Sequence, residues 1–360
     1  MSKLTTKHLM IMAAGTGGHI FPGLAIAAEM QSRGWTVSWL GTKAGMETAI
    51  VAQHGIPMDQ LDFTGMRGKG LRHSINGAIK LIGSFFACID IVRRRRPDLV
   101  LGMGGYVTVP GGISSALMGK PVIVMNADAP LLLSNKLLKP FARKLMFGLP
   151  SATPVYDKKM VLTGNPIRRE ICAVAPPAER YPARQGPLRI LVVGGSLGAK
   201  ALNEIVPEAL ALIPEQSRPL ITHQSGKQHV EELRQRYSRL GVNAEVLDFI
   251  EDMPRRYAEV DLVICRAGAI TVSELTGAGV ASILIPLVAS STSHQRANAE
   301  WLSGAGGAVH LPQVELNPSS LAQLIQDMRR AHCLQLATAA YQLGRREATD
   351  TIATIIEELT

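Results

Sequence analysis

Leu9-Met10-Ile11-Met12-Ala13-Ala14, running into Gly15-Thr16-Gly17-Gly18-His19-Ile20-Phe21-Pro22-Gly23, is the stretch that decides the fold. An unbroken apolar run of this length suits a strand buried on both faces of a parallel sheet. The glycines permit a tight turn, and the spacing predicts a helix that starts at Pro22 and stops at Gly34. A second unit of the same kind follows about half a chain later, where Leu188–Val193 runs into Gly194-Gly195-Ser196-Leu197-Gly198. Each strand, turn and helix aims backbone N–H groups at one point, which suits an anion such as a diphosphate. Two such units predict two doubly wound, Rossmann-like α/β domains with a deep interdomain cleft that holds the ligands. His19, placed on one of the turns, points to an enzyme.

Outward from these turns the same rhythm continues. In the first half, apolar runs at 9–14, 36–40, 98–102, 121–126 and 144–147 read as strands between amphipathic helices. In the second half the strands fall near 188–193, 219–223, 244–249, 261–265, 281–286 and 308–311. Thr163–Arg169 and the Pro- and Ala-rich stretch 173–187 read as the connection between domains, and Gly344–Leu359 as a final amphipathic helix. A length of 360 residues also exceeds what one hydrophobic core usually supports.

Composition narrows the function classes. The formal net charge of +9 favours an anionic partner. Aromatic content of 4% offers no stacking platform, which argues against nucleic acid. Cys88, Cys172, Cys265 and Cys333 have no metal-ligand or CxxC spacing and read as reduced thiols of a cytosolic protein. No apolar run reaches the ~18 residues of a membrane span. Much of the charge lies between Met66 and Arg96, where Arg67, Lys69, Arg72 and Arg93–Arg96 flank a stripe of Ile75, Ile79, Ile82, Phe85 and Phe86. Such a helix suits an anionic membrane surface, while its apolar stripe also suits packing on the first sheet.

Neither glycine turn fits the common nucleotide fingerprints. The dinucleotide motif needs a third glycine where this chain has Ile20, and a carboxylate ending the second strand where it has Leu40-Gly41-Thr42. The second turn carries Ser196 at the middle glycine position, and neither turn holds a P-loop lysine.

Six ordered motifs instead span most of the chain: Gly15–Pro22, Met66–Gly70, Gly102–Tyr106, Thr163–Arg168, Gly194–Gly198 and Arg266–Glu274. With these the whole chain resembles the undecaprenyl-diphospho-muramoylpentapeptide β-N-acetylglucosaminyltransferases of bacterial peptidoglycan synthesis. The resemblance implies a GT-B fold, with an acceptor and membrane-associating domain over 1–166 and a UDP-GlcNAc-binding domain over 167–344. In that fold a last helix, here 345–360, returns to the first domain. It implies inverting transfer of GlcNAc to undecaprenyl-linked lipid I, giving lipid II and UDP, at the cytoplasmic side of the bacterial inner membrane. Cell-wall synthesis proteins are its implied protein partners.

Carried over residue by residue, the resemblance makes His19 the general base, and an imidazole titrates near working pH. A helix-capping or acceptor-diphosphate role is the other reading of this histidine. Thr16, Gly17, Gly18 and His19 would line the donor site from the first domain. Glu274 would take the ribose hydroxyls, Ser196 and Arg168 the diphosphate, and the Ile250 backbone the uracil. Ala269, Ile270 and Thr271 would offer N–H groups, and Gln295 and Asn298, three apart on a predicted helix, the amides for the sugar hydroxyls. Gly104, Gly105, Tyr106 and Asn135 would face the acceptor. No Asp-x-Asp pair is present, so neither a metal nor any other cofactor is expected.

The chain departs from the family at Met125-Asn126-Ala127-Asp128, where relatives usually carry His-Glu-Gln-Asn, and at Val288–Ser293. Asp128, at the usual asparagine position, would face the acceptor side, count among the UDP-GlcNAc-site residues and share base duty with His19. A glycolipid glycosyltransferase with another lipid acceptor, a UDP-GlcNAc 2-epimerase and a non-catalytic nucleotide-sugar-binding protein are the competing readings.

Overall fold

A computed structural model describes residues 6–62, 71–150, 158–195, 198–287 and 293–360, without the side chains of 71–81 and of Ser293. The chain divides into two compact units, one of 1–167 with 347–360 and one of 168–346.

The first unit is built on β1 (His8–Ala13), β2 (Thr36–Thr42), β3 (Met58–Leu61), β4 (Leu99–Gly104), β5 (Val122–Asn126), β6 (Lys144–Phe147) and β7 (Met160–Leu162). They form one parallel sheet in the order β3-β2-β1-β4-β5-β6-β7. Its helices are α1 (Gly17–Ser32), α2 (Glu47–Gln53), α3 (Leu71–Arg95), α4 (Thr108–Leu117) and α5 (Leu133–Leu138). The strand order reverses direction on either side of β1, so the loops after β1 and β4 diverge at the point where open α/β sheets bind ligands.

The second unit repeats the plan. After the short helices α6 (Arg169–Cys172) and α7 (Pro177–Arg180) come β8 (Arg189–Val193) and α8 (Lys200–Ala211). Then follow β9 (Leu220–Gln224), α9 (Val230–Arg239), β10 (Glu245–Leu247), α10 (Met253–Glu259), β11 (Leu262–Cys265) and α11 (Ala269–Ala278). The unit closes with β12 (Ser282–Leu284), α12 (Ser293–Gly304), β13 (Val309–His310), α13 (Pro318–Asp327) and α14 (Arg330–Leu343). The sheet order is β10-β9-β8-β11-β12-β13, again parallel. The final helix, α15 (Ala348–Glu358), belongs to the first unit: Ile352, Ala353 and Ile356 join its core, and Glu357 pairs with Arg33 at 2.7 Å.

Several expectations need correction. The first helix begins at Gly17, not Pro22, because the Thr16 carbonyl already accepts the N–H groups of His19 (3.0 Å) and Ile20 (3.3 Å). Pro22 is therefore an interior residue, and it denies the Gly18 carbonyl its helical donor. The stretch 173–187 is no linker. Tyr181 lies in the second core, and Arg180 donates to the Tyr257, Ala278 and Gly279 carbonyls. Gly344 ends α14 instead of opening the last helix: its backbone is extended (φ −67°, ψ 127°), and a Cβ there would also meet the Thr276 carbonyl. Edge strands β3 and β7 were also missed: Asp59 and Gln60 interrupt any apolar run, and β7 is only three residues long.

All four cysteines are free thiols, and burial pushes those of Cys88, Cys265 and Cys333 up to about 12. Among the described residues no helix is long and apolar enough to cross a membrane.

His223 gives the second core an acid-sensitive point. Its Nδ1 pairs with the Tyr237 hydroxyl at 2.9 Å, its Nε2 is buried without a hydrogen-bond partner, and burial lowers its pKa to about 3. An unfolded histidine titrates near 6.5, so the unfolded chain takes the proton first and stability falls as pH drops below that value. Relative to pH 7.5, this one group should remove about 2 kcal/mol from the second unit at pH 5. Urea unfolding at both pH values checks this against His223→Gln, which can keep the Tyr237 bond but does not titrate. Equal losses in the two proteins would clear His223.

Candidate active site

In the first unit the glycine turn is braced on three sides. Gly15 has φ +101°, the left-handed region that favours glycine, and leads into the first turn of α1 with His19 half-buried. The His19 Nδ1 lies 3.1 Å from the Ala14 carbonyl oxygen. A carbonyl can only accept, so Nδ1 carries the proton and the neutral ring has its lone pair on Nε2. The ring lies against Gly104, where a Cβ would stand 2.6 Å from its Cδ2 and 2.7 Å from its Nε2. Gly105 faces the Ala14 backbone just as tightly, and both glycines have positive φ. The Gly102–Tyr106 motif therefore first of all makes room for the histidine, with Tyr106 exposed just beyond.

Glu47 is the residue that the sequence reading overlooked. It is completely buried at the start of α2, where one carboxylate oxygen accepts from Thr42 N (2.9 Å) and Thr42 Oγ1 (2.6 Å). The other accepts from Gly15 N at 3.2 Å. The Gly15 N–H is thus already taken, so the first turn does not aim it at a phosphate. In sequence Glu47 looks like any acidic residue at a helix start, and nothing local links it to a glycine 32 positions earlier.

The departing segment after β5 is held by its own amides. Asn126, fully buried, donates to the carbonyls of Asp128 (2.6 Å) and Pro130 (3.1 Å) and accepts from Leu132 N (3.0 Å). Asn135, one of the expected acceptor-side residues, is buried and donates to the Met125 carbonyl and Asn126 Oδ1. It supports the end of β5 from inside. Asp128 is buried in the loop that this network shapes.

In the second unit, Gly195 is gripped by the buried amide of Gln224, which accepts from its N–H (3.1 Å) and donates to its carbonyl (3.0 Å). The same Nε2 donates to the Asp248 carbonyl at 3.0 Å, tying the turn to the loop that leads to buried Ile250. Ser196 lies outside the described residues, as do Met66–Gly70 and 288–292.

The loop after β11 opens α11, which carries Ala269, Ile270, Thr271 and Glu274 in succession. The Glu274 carboxylate meets Arg168 Nη2 at 3.4 Å and accepts from the Tyr257 hydroxyl at 3.2 Å. Burial raises its pKa above the ordinary value, only partly offset by Arg168 and the tyrosine hydroxyl. Asn298 is fully buried and donates to the Ala267 carbonyl at 3.1 Å, so it holds the loop before α11. Gln295, half-buried, accepts from Leu287 N at 2.9 Å. Around α11 the structure thus gathers Arg168, Tyr257 and Glu274, and the sequence pattern had no sign of the tyrosine.

Known proteins place these two units. Residues 9–147 match the glycosyltransferase family 28 N-terminal domain, and residues 189–355 match the family 28 C-terminal domain. A protein of Janthinobacterium sp. (strain Marseille) is 60% identical over 98% of this chain and 99% of its own. Its name is UDP-N-acetylglucosamine--N-acetylmuramyl-(pentapeptide) pyrophosphoryl-undecaprenol N-acetylglucosamine transferase. A protein of the same name from Methylibium petroleiphilum is 52% identical over 99% of this chain and 98% of its own. The crystal structure of Acinetobacter baumannii MurG superposes with a TM-score of 0.84 at 37% identity, covering 98% of this chain and 99% of that one. With both domain models matched and relatives of this identity along nearly its whole length, the chain belongs to glycosyltransferase family 28.

Proposed function

We propose that this protein transfers GlcNAc from UDP-GlcNAc to the MurNAc 4-hydroxyl of undecaprenyl-diphospho-MurNAc-pentapeptide, with inversion, releasing UDP and lipid II. The observation that carries this reading is the 60% identity, over almost the whole of both chains, to a transferase named for that donor and acceptor. In this reading His19 Nε2 takes the proton of the acceptor hydroxyl as its oxygen attacks the sugar C1 from the face opposite UDP. The C1–O bond to the diphosphate breaks, and its electron pair leaves with UDP.

The second unit is the donor side. Glu274, oriented by Tyr257, accepts the ribose hydroxyls, and the N–H groups of Ala269, Ile270 and Thr271 meet phosphate or sugar oxygens. Arg168 and Ser196 stabilise the charge that develops on the leaving diphosphate, the work a metal does in other transferases. The uracil lies against the Ile250 backbone, Gln295 flanks the sugar, and buried Asn298 holds the loop before α11 in place. Thr16, Gly17, Gly18 and Asp128 approach the sugar from the first unit, where Gly104, Gly105 and Tyr106 form the acceptor side and buried Asn135 supports it from behind through Met125 and Asn126.

The finer location we assign is the cytoplasmic face of the bacterial inner membrane, held peripherally by the first unit. Ile82 and Phe86 on α3 are 58% and 64% exposed, whereas Cys88, Ile91 and Val92 of the same helix are core. Leu117 on α4 and Leu133 and Leu137 on α5 are exposed too, and α4 packs on both α3 and α5. At the C-terminal end of α3, Arg94 pairs with Asp90 and Arg95 with Asp59, which partly neutralises that end. Apolar insertion should therefore matter more than charge. The double variant Ile82→Ser/Phe86→Ser is expected to lose at least tenfold in affinity for anionic vesicles, each exposed side chain contributing on the order of 1 kcal/mol. Unchanged co-sedimentation would move the membrane face elsewhere.

Incubating the protein with labelled UDP-GlcNAc and a lipid I analogue in EDTA tests the activity. Label in a β-1,4-linked lipid product, with equimolar UDP, is the expected result. Transfer only to another lipid, epimerised donor without lipid, or UDP binding without turnover would each replace this reading with one of its three competitors.

A further inference from the structure

One peptide unit carries both contacts that define the first turn. The N–H of the Ala14–Gly15 peptide donates to the Glu47 carboxylate at 3.2 Å, and its carbonyl oxygen accepts from His19 Nδ1 at 3.1 Å. Glu47, the peptide and the imidazole therefore form a continuous chain that ends at Nε2. A hydrogen bond from a carboxylate to a peptide N–H shifts electron density towards the carbonyl oxygen, which makes that oxygen a better acceptor. The carboxylate–histidine pairings of many active sites do this by direct contact. Here a peptide bond stands between the two groups.

We propose that Glu47 is a positioning residue for the His19 base, acting through the Ala14–Gly15 peptide to hold the Nδ1–H tautomer and the ring orientation. Three observations support it. Glu47 is completely buried, and among the described residues the groups that donate to its carboxylate are all neutral (Thr42 N, Thr42 Oγ1 and Gly15 N), so three hydrogen bonds tie it to the turn and none to a cation. The chain leaves room for it, since a Cβ at Gly45 would collide with its carboxylate, and one at Gly41 would meet both Met58 Cε and, at 2.9 Å, the Glu47 Cγ. The second unit supplies the contrast: its turn is braced from the end of β9 by the neutral amide of Gln224, where the first is braced by an acid on α2, and the residue after that turn's last glycine is Ala199, not a histidine.

The inference rests on the reading of His19 as base, and Glu47→Gln separates the two. The amide oxygen can keep both Thr42 bonds, but the NH₂ group then faces the Gly15 N–H, donor against donor. The expected result is a kcat about tenfold lower with the UDP-GlcNAc KM within twofold. In a His19→Ala background the same change should cost less than twofold, because the group that it acts through is gone. A full tenfold loss in that background would overturn the proposal.

Nitrogen NMR of histidine-labelled protein reads the tautomer without any catalysis. His19 should carry its proton on Nδ1 in the native protein and become a mixture in Glu47→Gln. An Nε2–H tautomer in the native protein overturns the proposal even if the variant fails to fold. If His19→Ala stays active while the tautomer still responds to Glu47, the base reading has failed and the coupling stands.

Discussion

Replacing His19 with alanine is expected to lower kcat by a factor of about 10²–10⁴, the usual contribution of a positioned general base. The geometry makes the expectation specific. With Nδ1–H donated to the Ala14 carbonyl, the neutral ring can take a proton only at Nε2, and Gly104 lets that edge of the ring lie close to β4. The groups proposed for the donor, Glu274, Arg168 and the start of α11, belong to the other unit, so the KM for UDP-GlcNAc should change by less than twofold. Initial rates at saturating lipid acceptor check both numbers. A kcat within threefold of the native value would remove His19 from the base role and turn attention to Asp128.

Asp261→Ala should cost the second unit about 3–5 kcal/mol, the usual penalty for removing one member of a buried ion pair. Asp261 is completely buried just before β11. Its carboxylate accepts from Arg184 Nη1 at 3.0 Å, Arg330 Nε at 3.2 Å and Arg189 N at 2.9 Å. Burial by itself would raise its pKa, but the bonds from Arg330, the Arg189 N–H and Arg184 outweigh it and leave the group below the ordinary carboxylate range. A depressed carboxylate stabilises the fold above its unfolded pKa and loses that contribution as pH falls through the folded value. Removing it leaves Arg184, only 10% exposed, beside an unpaired N–H. Urea unfolding should show the second unit's transition moved to lower concentration and the first unit's unchanged. A loss below 1 kcal/mol, or an equal shift in both units, would refute this account.

Much of the fold was legible because burial leaves a local record. Strands such as Leu99–Gly104 and Val122–Asn126 are covered on both faces, so they appear as apolar runs whatever packs on them. Edge strand β3 pairs on one side only and tolerates Asp59 and Gln60, so it left no such run. The stretch 173–187 has the composition of a linker, yet Arg180 and Arg184 find carbonyls 74 to 99 positions away, which no local pattern reports. Glu274 and His19 stood out through their motifs, whereas Glu47, Gln224 and Tyr257 lay in unremarkable surroundings.

From the sequence alone come two parallel α/β units, each with a glycine turn behind its first strand, and a histidine on one of those turns. These features depend on residues within a few positions of one another, where backbone preference and strand burial act directly. Tertiary structure alone decided which atoms meet. It put the Glu47 carboxylate on the Gly15 N–H and thereby linked an acid in α2 to the imidazole in α1. It also decided the destination of α15, whose apolar face of Ile352, Ala353 and Ile356 announces that the helix packs but not against which sheet. A hydrogen bond or a buried face constrains its partner's chemistry but not its position in the chain, so only the folded arrangement selects among the many residues that would serve.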